Sequence, residues 1–318
     1  MSTLLVIGGS GFFGKSILSA FQRGLLTPWE ITSIKVLART ASKLRIQNPE
    51  LLSESIELID ADIAQSQTLP EADYVIHAAA STDIGRYLAQ PIEEQKNIQA
   101  SIFNYCKLAP LYHSNAKIIY ASSGAIYGPQ PMEIPFLSEA SPLGEIKNMA
   151  AGKQHYAAAK RDAELAIQEL GNAGLSVSIA RCFAFVGPYL PRDQHFAIGN
   201  FIEDGLCRRS IKLNANKQVY RSYMYADDLV EWLMSIAATG NPQCPIFNVG
   251  SGEAIEMRDL AQTVANYFGV GVEAPALTNA ESDRYVPSVD KAFTELGLVN
   301  KYHLASSIHE TVKQIHGA

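Results

Sequence analysis

Short apolar runs recur along the chain at residues 4–7, 34–38, 56–59, 74–78, 117–121 and 177–181. Several are apolar throughout rather than alternating, the pattern of strands covered on both faces of a parallel sheet. Between them the periodicity turns helical over residues 12–22, roughly 92–111, and 148–170, the last stopping near Gly171 and Gly174. This alternation predicts an α/β fold with a doubly wound parallel sheet. After residue 185 the regularity loosens. Gly187-Pro188, Pro191 and an aromatic-rich loop lead to a helix near 196–207, a strand near 219–224 and a helix from about 227. A strand at 246–249 and helices near 257–268, 291–296 and 304–315 follow. Residues 1–185 are expected to form the sheet domain, with 225–250 returning to it. Residues 186–318 are expected to form mainly a smaller C-terminal lobe over the carboxyl edge of the strands, where such folds bind ligands.

The 318 residues suffice for this plan, and 47% hydrophobic against 18% charged content supports a substantial core. A net charge of −6 gives no general attraction to nucleic acid or anionic lipid, so any phosphate must be held by locally placed groups. Cys106, Cys182, Cys207 and Cys244 are far apart without C-x-x-C spacing, which reads as isolated thiols in a reducing compartment. No basic segment precedes a long apolar stretch. Neither a secretory signal nor a membrane span is expected, and the protein is expected in the cytoplasm. No metal-ligand spacing is visible.

Gly8, Gly11 and Gly14 directly follow the first apolar run and open the first helix. Strand, glycine-rich turn and helix N-terminus in that order suit a dinucleotide pyrophosphate. The backbone can approach the phosphates closely, and the helix end offers free N–H groups and the positive end of its dipole. The predicted architecture is therefore Rossmann-type, although the spacing is G-x-x-G-x-x-G rather than G-x-G-x-x-G. An acid at the end of the second strand would accept the adenosine ribose hydroxyls of NAD. The chain instead reads Val36-Leu37-Ala38-Arg39-Thr40, with Lys43 one turn on, which favours the 2′-phosphate of NADP. Arginine also stacks on adenine without a phosphate, so the cofactor is read as NAD(P)(H) with NADP only slightly preferred.

Tyr156 and Lys160, the one Y-x-x-x-K in the chain, fall on one face of the helix after the fifth strand. An ammonium near a phenol favours phenolate and pulls its pKa down from about 10, making the tyrosine a usable acid/base. Ser122-Ser123-Gly124 closes the fifth strand at its carboxyl end, where the Ser123 hydroxyl can hydrogen-bond a substrate alcohol or carbonyl. His155, beside Tyr156 but about 100° round the helix, is expected to pack. His195 lies in a loop.

These features, with Asp62-Ile63, Val75-Ile76-His77-Ala78-Ala79-Ala80, Asn97, Ser123-Gly124-Ala125-Ile126-Tyr127-Gly128, Arg181-Cys182-Phe183, Gly187-Pro188, Arg221 to Asp228 and Asn248-Val249-Gly250, resemble the extended short-chain dehydrogenase/reductases. That branch comprises the NAD-dependent epimerase/dehydratase family, nucleotide-sugar enzymes similar to UDP-galactose 4-epimerase. The resemblance runs in order through nearly the whole chain. It implies that Gly8, Gly11, Phe12, Phe13 and Gly14 hold the pyrophosphate, that Asp62 and Ile63 flank the adenine, and that Ala78, Ala79 and Ala80 line the phosphate and ribose path. Asn97 would hold the cofactor from the following helix, and Phe183 would lie near the nicotinamide. Lys160 would bind the nicotinamide ribose, Ser123 would orient the reacting hydroxyl, and Tyr156 would be the acid/base. Thr82 would face the substrate, and Arg221 and Arg284 would clamp its diphosphate. Relatives often form homodimers through the helices near 92–111 and 148–170.

The chain departs from the pattern at defined places. Dehydratases of this branch carry an acidic pair after the catalytic hydroxyl; here those positions are Gly124 and Ala125, which disfavours dehydration. The asparagine common after Arg-x-Phe is Ala184, and Pro129, Pro131, Pro135 and Pro142 mark an insertion before Tyr156. The resulting expectation is 4-epimerisation of a nucleotide-linked hexose through a transient 4-ketone, with an NADPH-dependent 4-keto reductase as the alternative. Reduction of a non-sugar ketone or aldehyde, and a non-catalytic dinucleotide sensor, are the readings from other classes; the intact Tyr156/Lys160 pair counts against the sensor.

Overall fold

The computed structural model describes residues 1–80, 89–279 and 281–316. Strands β1 (Ser2–Ile7), β2 (Ile31–Ala38), β3 (Ile56–Asp60), β4 (Tyr74–His77), β5 (Lys117–Ser123), β6 (Val177–Cys182) and β11 (Ile246–Val249) form one sheet. Their order is β11-β6-β5-β4-β1-β2-β3, and every pairing is parallel. Successive side chains leave a strand on opposite faces, and here both faces are covered. Leu4 and Val6 face a layer built by α1 (Phe12–Gln22) and α6 (Ala226–Ala238), including Ile17, Leu18, Leu229 and Trp232. Leu5 and Ile7 face Ile102 and Tyr105 of α3 (Pro91–Tyr112), and Ala163 and Ile167 of α4 (Ala151–Asn172). That two-sided burial is why the strands lack polar alternation.

A one-turn helix α2 (Leu44–Gln47) follows β2. Beyond β6, the two-residue strands β7 (Phe185–Val186) and β10 (Met224–Tyr225) pair in parallel, as do β8 (Ile211–Lys212) and β13 (Val272–Glu273). Strand β9 (Gln218–Arg221) lies between β12 (Ile255–Glu256) and β14 (Ser282–Arg284). Helices α5 (Ala197–Leu206), α7 (Met257–Phe268) and α9 (Leu304–His316) bury a second core around Ile198, Phe201, Leu260, Val264 and Ile308; α8 (Asp290–Leu296) precedes α9. The strand expected near 219–224 is thus two strands, because Ser222 and Tyr223 carry the chain from the β9 ribbon to β7. Strand β5 runs two residues further than its apolar stretch, which takes Ser123 into the strand end. Among the described residues no helix is long and apolar enough to cross a membrane, and the four cysteines are free thiols.

Candidate active site

Strand order reverses between β1 and β4, so their carboxyl ends flank the crevice where doubly wound sheets take ligands. The glycine turn enters it from one side. Gly8 has φ +87°, and a Cβ there would lie 2.6 Å from the Ala79 Cα. Glycine is needed because the two strand ends touch. Gly14 is needed for packing, since its Cβ would fall 2.0 Å from the Gly9 carbonyl oxygen. Gly11 differs: it is exposed, its φ is −88°, and the nearest atom to a Cβ would be 3.7 Å away. Among the described residues nothing demands glycine at this helix N-cap. A ligand approaching the backbone closely would, and the order of strand, turn and helix is the one that suits a dinucleotide pyrophosphate. The first turn of α1 carries no acidic side chain and Gly11 offers no side-chain cap, so its N–H groups face the crevice unneutralised. The rings of Phe12 and Phe13 pack on each other and on Phe185 at centroid distances of 5.3–6.2 Å. Any contact they make with a phosphate therefore runs through their backbone N–H groups.

The other wall is the alanine run after β4. Ala78 N–H donates to the Ile7 carbonyl, and Ala80 and Tyr156 both pack against the small cluster of Ile98 and Ala159. The alanine wall and helix α4 therefore meet at Ala80. Asp62 caps its own turn through the Ala64 N–H at 3.0 Å. Ile63 is buried, and its carbonyl is held by the Asn104 amide at 2.7 Å. Asn97 is on the exposed side of α3. Arg39 and Lys43 are exposed and have no ion pair among the described residues. The nearby carboxylate, Asp60, is held below its ordinary range by the hydroxyl and N–H of Ser42. Thr82 lies outside the described residues.

Ser123, Tyr156 and Lys160 converge at the end of β5. The Ser123 Oγ accepts the Ala125 N–H at 3.1 Å and favours ionisation of the Tyr156 phenol. Lys160 is 2% exposed; its Nζ donates to the Ala121 carbonyl at 2.7 Å and lies 5.8 Å from the Tyr156 ring centroid. The expected fall in the Tyr156 pKa is not found. Burial outweighs the Ser123 contact and pushes the phenol up to about 12, while desolvation lowers Lys160 to about 8. The ammonium is spent on a backbone carbonyl rather than aimed at the phenol.

Phe183 follows β6, and its ring stacks on Tyr285 at 4.7 Å. A Cβ on Gly124 would lie 2.7 Å from both the Phe183 Cζ and the Tyr285 hydroxyl. Tyr285 is thus a member of the site that the sequence reading passed over while choosing its neighbour Arg284. The two arginines expected to act together are not brought together. Arg221 forms a two-pronged ion pair with Asp283 at 3.2 Å, whereas Arg284 lies over the Tyr220 ring at 4.3 Å. Tyr220 and Arg221 are adjacent in β9, as Asp283 and Arg284 are in β14, so the two guanidinium groups leave opposite faces of the ribbon. That same period of two was the available signal for Tyr285, which shares the Asp283 face. His155 hydrogen-bonds Gln95 across the α3–α4 contact at 2.7 Å, a packing role. Among the described residues no group of three or more His, Cys, Asp or Glu side chains could hold a metal ion.

A glycine turn, an alanine-lined crevice and a Ser–Tyr–Lys set thus lie together at the carboxyl edge of the sheet. The sequence profile of the NAD dependent epimerase/dehydratase family matches residues 4–250. The chain belongs to that family. It is 24% identical over 315 residues to UDP-glucuronic acid decarboxylase 1 of Xenopus tropicalis, covering 97% of this chain and 71% of the relative. It is 25% identical over 320 residues to dTDP-glucose 4,6-dehydratase of Streptomyces antibioticus, covering 97% and 91%. Its fold superposes on a UDP-glucose 4-epimerase with UDP-glucose from Thermotoga maritima with a TM-score of 0.79 at 20% identity, over 99% of both chains.

Proposed function

We propose that this family member acts on a nucleotide-linked hexose, inverting C4 through a transient 4-ketone with Tyr156 as acid/base. The observation that carries the reading is the convergence of Ser123, Tyr156 and Lys160 with the crevice wall at Ala80. In this mechanism the Ser123 hydroxyl holds the sugar oxygen at C4, and Tyr156 takes the proton from that oxygen once its own phenol, held up to about 12 by burial, has ionised. A bound nicotinamide supplies the hydride acceptor and donor. Tyr156 would return the proton to the C4 oxygen when the ketone is reduced again on its other face. Lys160 keeps positive charge under the site and, by the family resemblance, holds the nicotinamide ribose. Arg221 would exchange its one carboxylate partner, Asp283, for the substrate diphosphate. The positions of the acidic pair found in dehydratases are Gly124 and Ala125, so the carboxylates that would expel water are missing there.

A second reading, a 4-keto nucleotide-sugar reductase, is favoured by two observations. Arg39 and Lys43, exposed and without an ion pair among the described residues, suit the 2′-phosphate of NADPH. A phenol near pKa 12 is a proton donor at neutral pH, as reduction of a ketone requires. A cytoplasmic homodimer belongs to the same proposal. Ile92 and Phe103 on α3 and Leu165 on α4 are 58%, 49% and 61% exposed, an apolar face at the two helices expected to pair.

The test begins with denaturation of the purified protein and identification of any released nucleotide. UDP-glucose, UDP-galactose and dTDP-glucose are then incubated with the protein and NAD, and a 4-keto nucleotide sugar with NADPH. Interconversion of C4 epimers without net cofactor consumption supports the epimerase; NADPH consumption in proportion to the ketone supports the reductase. A Tyr156→Phe variant with full activity on the turned-over substrate would end the mechanism.

A further inference from the structure

Gly124 stands at the carboxyl end of the catalytic strand, and the space its missing side chain leaves is filled from far along the chain. The Phe183 ring and the Tyr285 hydroxyl each come within 2.7 Å of where its Cβ would be. Tyr285 is carried there by β14, which pairs in parallel with β9, and its backbone N–H is fixed by the Tyr220 carbonyl at 3.1 Å. Its ring lies on Phe183, and its hydroxyl is 3.5 Å from the Cys182 carbonyl. Cys182 is the cross-strand partner of Ser123, so this hydroxyl stands beside the serine, which favours ionisation of both phenols. Arg221 is the nearby cation on the same ribbon face.

We propose that Tyr285 is a positioning residue for Ser123: its hydroxyl holds the serine side chain in place and, with Phe183, takes the volume of a side chain at position 124. The proposal rests on the reading of Ser123 as the group that holds the reacting sugar oxygen. It explains why residue 124 is glycine although its backbone needs no left-handed conformation. It also couples the two halves of the site. The ribbon that carries Arg221 and Asp283 also carries the phenol that sets the serine, so seating a diphosphate at Arg221 bears directly on the reacting end. Burial keeps the Tyr285 phenol protonated well above its ordinary range, which makes it a standing neutral donor or acceptor rather than a second base.

The test uses Tyr285→Phe, Ser123→Ala, Gly124→Ala and the pairs S123A/Y285F and G124A/Y285F in the full chain with NAD. Phenylalanine keeps the ring on Phe183 and removes only the hydroxyl. With the nucleotide sugar that the wild type turns over, Y285F is expected to lower kcat about tenfold while KM changes less than about threefold, the mark of a misplaced reacting group. G124A is expected to cost less in the Y285F background than in wild type, because one of its two close contacts is gone. A substrate-free arm compares urea midpoints of wild type, S123A, Y285F and the double variant, whose shifts should be non-additive if the two hydroxyls are bonded. Unchanged kcat in Y285F, or strictly additive midpoints, overturns the proposal. If the wild type turns over no nucleotide sugar, the functional reading fails by itself, and the midpoints still decide whether Tyr285 holds Ser123.

Discussion

Replacing Lys160 by methionine should make the protein more stable and inactive at once. The lysine is 2% exposed, and burial lowers its pKa from an ordinary 10.5 to about 8. At about 1.4 kcal/mol per tenfold change in proton affinity, holding the ammonium charged below pH 8 costs about 3 kcal/mol. Methionine fills a similar volume without charge. The Ala121 carbonyl loses its 2.7 Å donor, which costs back about 1 kcal/mol. The expected net gain for Lys160→Met at pH 7 is about 2 kcal/mol. Its pH dependence follows from the sign of the shift. Below about pH 8 the lysine is protonated in both folded and unfolded wild type, and the whole penalty is present. Between about 8 and 10.5 the folded lysine sheds its proton before the unfolded one does, so the penalty is relieved as pH rises. Urea unfolding of both proteins at pH 7 and pH 10, followed by circular dichroism, measures the gap at each. It should be wide at the lower pH and nearly closed at the higher. Turnover of the nucleotide sugar should fall at least about 100-fold in the variant. A K160M protein less stable than wild type at pH 7, or a gap equal at both pH values, would refute the claim that this cation is held against its own desolvation.

The glycines of the turn separate packing from binding. Gly8→Ala should lose about 1–3 kcal/mol in denaturant unfolding, because φ is +87° and Ala79 lies 2.6 Å from the new Cβ. Gly11→Ala should unfold like wild type yet bind the dinucleotide at least about tenfold more weakly by calorimetry, its nearest neighbour being 3.7 Å away. Arg39→Ala should weaken NADP about tenfold or more and leave NAD within about twofold, measured by fluorescence titration; equal losses would remove the 2′-phosphate reading. Arg221→Ala should raise KM for the nucleotide sugar about tenfold or more, whereas Arg284→Ala, stacked on Tyr220 across the ribbon, should change it less than about threefold. The reverse order in steady-state kinetics would show that the faces are misassigned.

The sheet was legible because its strands are apolar on both sides. Leu4 to Ile7 feed two helix layers in alternation, and such a run has few other destinations. The glycine turn was legible for the same local reason, since Gly8, Gly11 and Gly14 lie within one strand–helix junction. The substrate end was not. Arg221 and Arg284 look equivalent as isolated basic residues, and only the parallel register of β14 on β9 reveals their opposite faces. Tyr285 reaches Gly124 through a contact spanning some 160 positions, and the period of two gives only the face it leaves from, not the partner it meets. The pKa of Tyr156 was misjudged because spacing along a helix gives neighbours but not burial. A lysine four residues on is near the phenol, yet its charge is satisfied by Ala121, and desolvation sets the outcome.

Burial of Lys160 beside the half-buried Tyr156 requires that something fix α4 against the strand that carries Ser123, and a buried polar network does so. Glu164, one turn beyond Lys160, accepts the Ser122 hydroxyl at 2.5 Å and the Arg181 guanidinium at 2.9 Å. Arg181 continues to the Tyr127 hydroxyl at 3.0 Å, and Tyr127 donates to Asn248 at 2.8 Å. One chain of bonds thus joins α4, β5, β6, β11 and the turn after Ser123. Ion pairs this deep add little net stability compared with apolar side chains of the same size, because desolvation offsets their attraction. What they enforce is register: Glu164 cannot slide along Ser122 and Arg181 without leaving a buried charge unmatched. Because Tyr156 and Lys160 lie two turns and one turn before Glu164 on the same helix, that constraint fixes their height above the strand end. The site's precision therefore comes from the layer beneath it, and this explains how a lysine with so poor a purchase on its phenol can still be held within reach of it.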